Sequence, residues 1–283
     1  MRKLPAFAFA ICVVFTASGQ SDSLTFVTTK WETKKIVKGV LWKSFLFKGN
    51  LFGANQSVNI VEVTRNGKIK FAFGYDSKEL KLTSDFGKAA SALVALNGTF
   101  FDIKNGGSVD YLKVGGQVIN ENRLQNDKRA VHQKAAISIE GRRLKIEKWN
   151  GQPNWEKSLS ADDVMLSGPL LIFNRQIESV DSSAFTYTRH PRTAVVVTNT
   201  NRVLLVTVDG RDANAAGMSL IELRKILKWL DAKDALNLDG GGSTTLWIHN
   251  QPDNGVVNYP SDNKIWDHAG ERKVANVVLI KKR

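Results

Sequence analysis

The stretch Asn237-Leu238-Asp239-Gly240-Gly241-Gly242-Ser243-Thr244-Thr245 carries an acidic side chain out of an apolar run and into three consecutive glycines. Glycine loses more conformational freedom on folding than any other residue, so a triple run persists where the backbone turns left-handed or lies very close to another group. Successive N–H groups of such a turn form an anion-binding concavity, and the hydroxyls of Ser243 and Thr244 add donors at its edge. The loop is expected to hold an oxyanion beside Asp239. Two other segments share this grammar, an apolar strand that ends in polar and glycine residues: Leu96-Asn97-Gly98 and Val208-Asp209-Gly210-Arg211. His190-Pro191-Arg192-Thr193 stands immediately before a further strand. Strand ends that bring polar groups to one rim of a sheet are a common way to assemble a site.

Taken together, Asn97-Gly98-Thr99-Phe100-Phe101, Gly168-Pro169, Arg192-Thr193-Ala194, Val208 to Arg211, Gly217-Met218-Ser219 with Glu222-Leu223, Asn237 to Thr244, and Arg272 with Val274 and Asn276 resemble the phosphodiester glycosidase family. The resemblance runs in the family's order over roughly residues 90 to 280, and Asn237 to Thr244 is its most specific element. It implies hydrolysis of a sugar-1-phosphodiester at the glycosidic C–O bond, giving free sugar and a phosphomonoester. A phosphate leaving group needs charge stabilisation more than strong protonation. Arg192 and Arg211 would clamp it, and the amides of Gly240, Gly241 and Gly242 would add donors. Asp209 and Asp239 are then the carboxylates that attack the anomeric carbon or activate water; which does which, and whether the reaction retains or inverts, stays open. Asn97, His190, Ser243 and Thr244 complete the expected binding set. Thr99, Val195 and the absence of Asp-Gly after Ile172 depart from the family pattern and bear on the substrate.

Each assignment has a structural rival. Asp239 can bond the glycine amides as a turn residue, Asp209-Gly210 can be a plain turn, Arg192 can hold a structural partner, and His190 can shape a strand entry. Asn97 and Asn276 can satisfy backbone groups. Trp247, Tyr259 and Trp266 suit either sugar stacking or packing, whereas Phe100 and Phe101 read as core anchors that fix Asn97. His132, His190, His249 and His268 show no paired ligand spacing, so no metal or other cofactor is expected. The alternative is a divalent cation held by Asp102, Asp110, Asp209 and Asp239 with phosphate as co-ligand. Two other functions compete with the glycosidase: a non-catalytic module that binds phosphorylated or acidic envelope glycans, and a phosphodiesterase that cuts P–O instead of C–O.

The elements that must position these residues are those of an α+β fold, a single domain of mixed, largely antiparallel β-sheets with a few flanking helices. Residues 24–75 read as strands, with Asn66-Gly67 as a hairpin turn between Ser57–Val63 and Lys68–Phe73. A short helix from Asp85 to Ala92 leads into the buried strand Leu93–Leu96, and hairpins are expected at Gly115-Gly116, Gly141-Arg142 and Asn199 to Arg202. Ser219 and Glu222 have capping-box spacing ahead of a helical leucine stripe. His249 to Arg272 reads as a long surface excursion, and Val274 to Ile280 as the last strand.

Met1-Arg2-Lys3, an apolar run and the small residues Ala17 and Gly19 form a signal peptide over residues 1–19, cut near Gly19/Gln20. The remaining domain spans 20–283, with an N-terminal β region over 20–85 and the family core over 90–283. A periplasmic or secreted location is expected, with no transmembrane segment. The only cysteine, Cys12, lies in the signal, which excludes disulfides and a thiolate nucleophile from the mature chain. The net charge of +13 falls to +11 without Arg2 and Lys3 and favours anionic partners, a phosphorylated glycan or sugar-1-phosphodiester above all. The basic residues are scattered, so nucleic acid is not an expected partner; the sequence leaves the oligomeric state open.

Overall fold

The most strongly β-branched runs of the chain lie side by side in an eight-stranded antiparallel sheet. Its order is Glu32–Val37, Val40–Leu51, Ala54–Val63, Val203–Val208, Arg192–Thr198, Ala232–Asn237, Leu170–Phe173 and Gln176–Ile177. The computed structural model behind this description covers residues 18–64, 68–124 and 128–283. The central strands are apolar at nearly every position because both faces of the sheet are covered. Val195, Leu205, Val61 and Leu236 point into one core; Ala194, Val196, Leu204, Val206 and Ile60 point into the other. This is the two-residue period of a strand with water on neither side.

The first core is closed by two smaller antiparallel sheets. One has the order Gln117–Asn120, Leu112–Val114, Asp163–Ser167, Ala135–Glu140 and Arg143–Lys148; the other has Leu246–Ile248, Val94–Asn97, Asn276–Lys282 and Ile69–Tyr75. The second core is closed by the helix Leu220–Trp229 and by Phe26 of the helix Ser18–Val27. Phe26 packs among Trp31, Phe47 and Trp229, with ring centroids 5.4–5.9 Å apart. The expected α+β architecture is present, and every strand pairing among the described residues is antiparallel.

Hairpins form at Gly115-Gly116, Gly141-Arg142 and Asn199 to Arg202 as expected. The hairpin expected at Asn66-Gly67 does not. Ala54–Val63 already has both edges taken, by Val40–Leu51 and Val203–Val208, while Ile69–Tyr75 pairs with Asn276–Lys282 in another sheet. The turn residues themselves lie outside the described residues. Residues 24–27, read as strand, belong to the helix Ser18–Val27, where Phe26 gains its burial. Residues 1–17 of the expected signal peptide lie outside the described residues, and Ser18 and Gly19 begin that helix. The 20–85 region is woven into the family core through the pairings of Ala54–Val63 and Ile69–Tyr75. The excursion from His249 to Arg272 is exposed only in part, since Val256, Val257 and Asn258 are buried. No helix among the described residues is long and apolar enough to cross a membrane.

The capping box forms as its spacing requires: Ser219 Oγ accepts from Glu222 N at 3.1 Å, and Glu222 Oε2 accepts from Ser219 N at 2.9 Å. Glu222 also pairs with Arg189, whose Nη2 donates to the Phe52 carbonyl at 2.6 Å. Ser219→Ala is expected to cost about 1 kcal/mol, the usual value of an N-cap. Glu222→Ala should cost more, because it also strands Arg189. Urea unfolding of the two variants reads the order; equal or reversed losses would contradict this account.

Candidate active site

Four strand ends converge at one rim. Arg192 opens its strand opposite Val208, Ala194 lies opposite Asn237, and Asn97 closes the strand Val94–Asn97 of a smaller sheet. Asn97 joins the two sheets. Its Nδ2 donates to the Asp239 carbonyl at 2.7 Å, and its Oδ1 accepts from Thr193 Oγ1 at 2.9 Å and from Thr245 N at 3.1 Å. Beside it the Asp239 N–H donates to the Gly98 carbonyl at 3.1 Å. A Cβ on Gly98 would overlap the Asn276 amide oxygen, which accepts from Thr99 N at 2.8 Å. Glycine is thus required at 98 by close approach. The Asn97 amide is buried, and these three bonds brace the rim, the structural rival to its expected contact with substrate.

The glycine triplet is thin because groups press on it from several sides. A Cβ on Gly240 would stand 2.7 Å from the Pro191 carbonyl oxygen. One on Gly241, whose φ is +60°, would stand 3.0 Å from Arg211 Nη2; one on Gly242 would stand 2.6 Å from Arg272 Nη2. Two guanidinium groups therefore lie against adjacent glycines. Arg211, at a left-handed φ of 66°, is exposed and has no hydrogen-bond or carboxylate partner among the described residues. Arg272 is paired with Asp262, its Nε donating to Oδ1 at 2.8 Å. Sequence reasoning placed Arg272 in the resemblance and not in the site; its contact with Gly242 is made across 30 residues of chain.

Asp239 itself is partly exposed at the head of this loop. Burial pushes its carboxyl up to about 6, against the opposing pull of the Ser243 hydroxyl, the Arg272 charge, the Gly240 N–H and the His132 ring. The Ser243 hydroxyl is buried and closes no well-aligned hydrogen bond of its own. Thr244 is buried, its hydroxyl meeting that of Thr193 at 3.2 Å.

Two expected site residues lie in the interior. Asp209 is completely buried, and its oxygens accept from Ser57 Oγ at 2.6 Å, Asn258 Nδ2 at 2.8 Å and Tyr259 N at 3.0 Å. Burial raises its pKa, with these donors opposing. These bonds are those of its structural rival, a carboxyl held within the fold. Asn258 passes the constraint on, donating also to the Thr244 carbonyl at 3.0 Å. Arg192 is likewise buried: Nε donates to the Met218 carbonyl at 2.8 Å and Nη2 to the carbonyls of Phe185 and Thr188 at 2.7 and 2.9 Å. Burial, then the Arg211 charge, lowers its pKa to about 10. These bonds tie it to the 185–188 wall, the structural rival to its expected phosphate contact. His190 stays beside these cations. Burial, then Arg192 and Arg211, lowers its pKa, and its Nδ1 is buried without a partner.

A cavity of about 250 Å3 opens next to the rim, lined by Phe100, His132, Gly168, Pro169, Phe185 and Thr186 among others. Phe100 packs on the His132 ring at 4.8 Å, so it is part of this wall as well as an anchor. His132 Nδ1 faces Asp110 Oδ2 at 2.8 Å, and Asp110 is also held by Gln133 Nε2 at 3.0 Å and Thr99 Oγ1 at 3.3 Å. Sequence reasoning found no spacing that joined His132 to a partner, because Asp110 lies 22 residues away on another loop. Trp247 is buried in the core with Nε1 on the Asn254 carbonyl, and Tyr259 is stacked against Trp266 at 3.9 Å and tilted onto His268 at 4.3 Å. Among the described residues no three His, Cys, Asp or Glu side chains are disposed to hold a metal. Asp102, Asp110 and Asp209 each have their own donors and do not converge with Asp239 on one.

A model of the phosphodiester glycosidase family matches residues 90–281. The N-acetylglucosamine-1-phosphodiester alpha-N-acetylglucosaminidase of Bos taurus is 26% identical over 219 residues, 73% of this chain and 40% of that protein. The Mus musculus protein of the same name is 25% identical over 221 residues, 74% and 41% of the two chains. The chain thus spans about two fifths of the length of these relatives. Among solved structures, the catalytic domain of the zebrafish N-acetylglucosamine-1-phosphodiester alpha-N-acetylglucosaminidase, auto-inhibited by its pro-peptide, superposes with a TM-score of 0.67 at 20% identity, over 90% of this chain and 89% of that one. A hypothetical protein from Synechocystis gives 0.66 at 17% identity, over 90% and 64%. At these identities the superpositions establish the fold, and the family match covers more than half of the sequence. The chain belongs to the phosphodiester glycosidase family.

Proposed function

We propose that this protein is an exported hydrolase that cleaves the glycosidic C–O bond of sugar-1-phosphodiesters. The observation that carries the reading is Asp239, a carboxyl pushed up to about 6, at the head of a glycine triplet with Arg211 and Arg272 against it. The phosphate lies against the triplet, where Arg211 supplies an uncommitted charge; the Gly241 N–H is already given to the Pro191 carbonyl at 2.8 Å and the Gly240 N–H is directed at Asp239, so these two amides are not among its donors. Asp239 in its protonated form gives its proton to the departing phosphate oxygen, as a carboxyl poised near the working pH does. The sugar occupies the cavity between Phe100 and Phe185, whose volume of about 250 Å3 suits one pyranose ring. His190, neutral and half-buried beside Arg192 and Arg211, is a further contact for substrate. The names of the mammalian relatives make an α-N-acetylglucosaminyl phosphodiester the first substrate to try. The amino-terminal sequence supports a periplasmic or extracellular location.

In 18O-labelled water the label is expected in the free sugar; label in the phosphomonoester would mean P–O cleavage and overturn the reading. Asp239→Asn should lower kcat by about 100-fold or more, the usual contribution of a positioned acid. Asp209→Asn should lower the unfolding midpoint and leave kcat within about tenfold of wild type, since its carboxylate is structural. A non-catalytic binding module would show no turnover in any of them. Arg211→Met should raise KM about tenfold, the equivalent of one charge-assisted hydrogen bond.

The raised carboxyl also has a stability signature. A folded-state pKa above the unfolded one means that the native state holds its proton more tightly, so the contribution is full below the unfolded pKa and is lost as pH rises through about 6. Asp239→Asn removes the desolvated charge. Its thermal midpoint is expected to exceed that of wild type at pH 8, by up to about 3 kcal/mol in stability, and to converge with it near pH 4. A gain that does not depend on pH would contradict this assignment.

A further inference from the structure

The geometry points to His132, held by Asp110, as the general base that activates water for attack on the anomeric carbon. This rests on the reading above, which leaves the second proton-handling group unassigned once Asp209 is seen to be sealed in the interior. Three observations converge on the ring. Asp110 is completely buried, and both its oxygens face His132 Nδ1, at 3.0 and 2.8 Å. Gln133 Nε2 and Thr99 Oγ1 hold the carboxylate from the other sides, so its orientation is fixed. An acceptor so placed keeps the Nδ1 proton and leaves the Nε2 lone pair free, as in other carboxylate–histidine pairs that orient a base. Nε2 has no hydrogen-bond partner among the described residues, and the side chain is 31% exposed.

The ring's surroundings place that lone pair at the chemistry. His132 lines the cavity assigned to the sugar, packed against Phe100. The backbone of His132 is fixed from behind: a Cβ on Gly168 would stand 2.8 Å from its Cα. The guanidinium groups of Arg211 and Arg272 lie against the glycine loop and His132 lies in the cavity wall, so phosphate is assigned to the first and the attacking water to the second. The step balances without a metal or co-reactant. Water adds to the anomeric carbon and its proton passes to His132 Nε2. The bond from that carbon to the phosphate oxygen breaks, its electron pair stays on oxygen, and Asp239 supplies that oxygen with a proton. Solvent then returns the His132 proton to Asp239. The sugar leaves with inverted configuration.

The test is azide rescue of His132→Ala, with the α-N-acetylglucosaminyl phosphodiester as substrate and NMR analysis of the products. Kcat is expected to fall by about 100-fold or more. Added azide, which needs no deprotonation, should restore turnover and yield the glycosyl azide of inverted configuration. His132→Gln, which preserves bulk and polarity, controls for folding: it should melt like wild type yet remain slow. Asp110→Asn should slow wild type with little change in KM and have no further effect in the His132→Ala background, because it acts only through the ring. Undiminished turnover in His132→Ala, or loss that azide does not rescue while His132→Gln stays active, overturns the assignment. Absence of turnover in wild type instead overturns the proposed function, and this inference with it.

Discussion

The buried amide of Asn97 is the constraint on which the rim depends. Asn97 ends a strand of one sheet, Thr193 lies near the start of a strand of another, and Asp239 follows a third strand end; one side chain bonds to the segments around all three. An amide can do this because it carries donors and an acceptor on a short, rigid stem. Buried as it is, an unmade bond would cost more than a made one gains, so the three contacts stand or fall together. Gly98 and Asn276 complete the joint, the first by having no side chain and the second by filling the space that leaves. The consequence for function is direct. The Asp239 main chain is fixed on both its N–H and its carbonyl, and its side chain is the part left free of that joint.

Around that joint, charge is divided between groups that build and groups that act. Arg192 and Asp209 are of opposite sign, yet each is buried apart from the other and satisfied by neutral donors or carbonyls. Burial of an ion is tolerable on these terms, because the hydrogen bonds replace its hydration. Arg192 fixes the wall that carries Phe185, and Asp209 ties down the loop that carries Asn258 and Tyr259. Arg211, two residues beyond Asp209, is the one turned outward. The triplet of glycines is the counterpart of this arrangement, since a side chain at 241 or 242 would meet a guanidinium.

Asp239 and the Asp110–His132 pair sit where the two kinds of packing meet. The carboxyl is raised because apolar and backbone groups strip its water faster than Arg272 and His132 compensate for it. His132 owes its place to Asp110, and Asp110 owes its own to Thr99 and Gln133, so the wall of the cavity and the strand end at Asn97 belong to one connected network.

Several of these features were legible in the sequence. Alternating and β-branched runs gave the antiparallel sheets, Ser219 and Glu222 gave the capped helix, and Asp239 followed by three glycines gave the loop, because each is encoded within a few residues. Helix Ser18–Val27 was missed, since its stability comes from Phe26 packing on distant rings and not from local propensity. The Asn66-Gly67 hairpin failed for a related reason: a turn signal says that the chain reverses, not which edge is still vacant when it does. What the sequence by itself determined was the set of polar residues at strand ends and their order along the chain. Only the tertiary structure decided which of them are sealed by hydrogen-bond partners and which are left open. Whether Asp209 or Asp239, Arg192 or Arg211 is left free depends on hydrogen-bond partners as distant as Ser57 and Asn258, and burial of that kind is a property of packing in three dimensions that short-range spacing does not record.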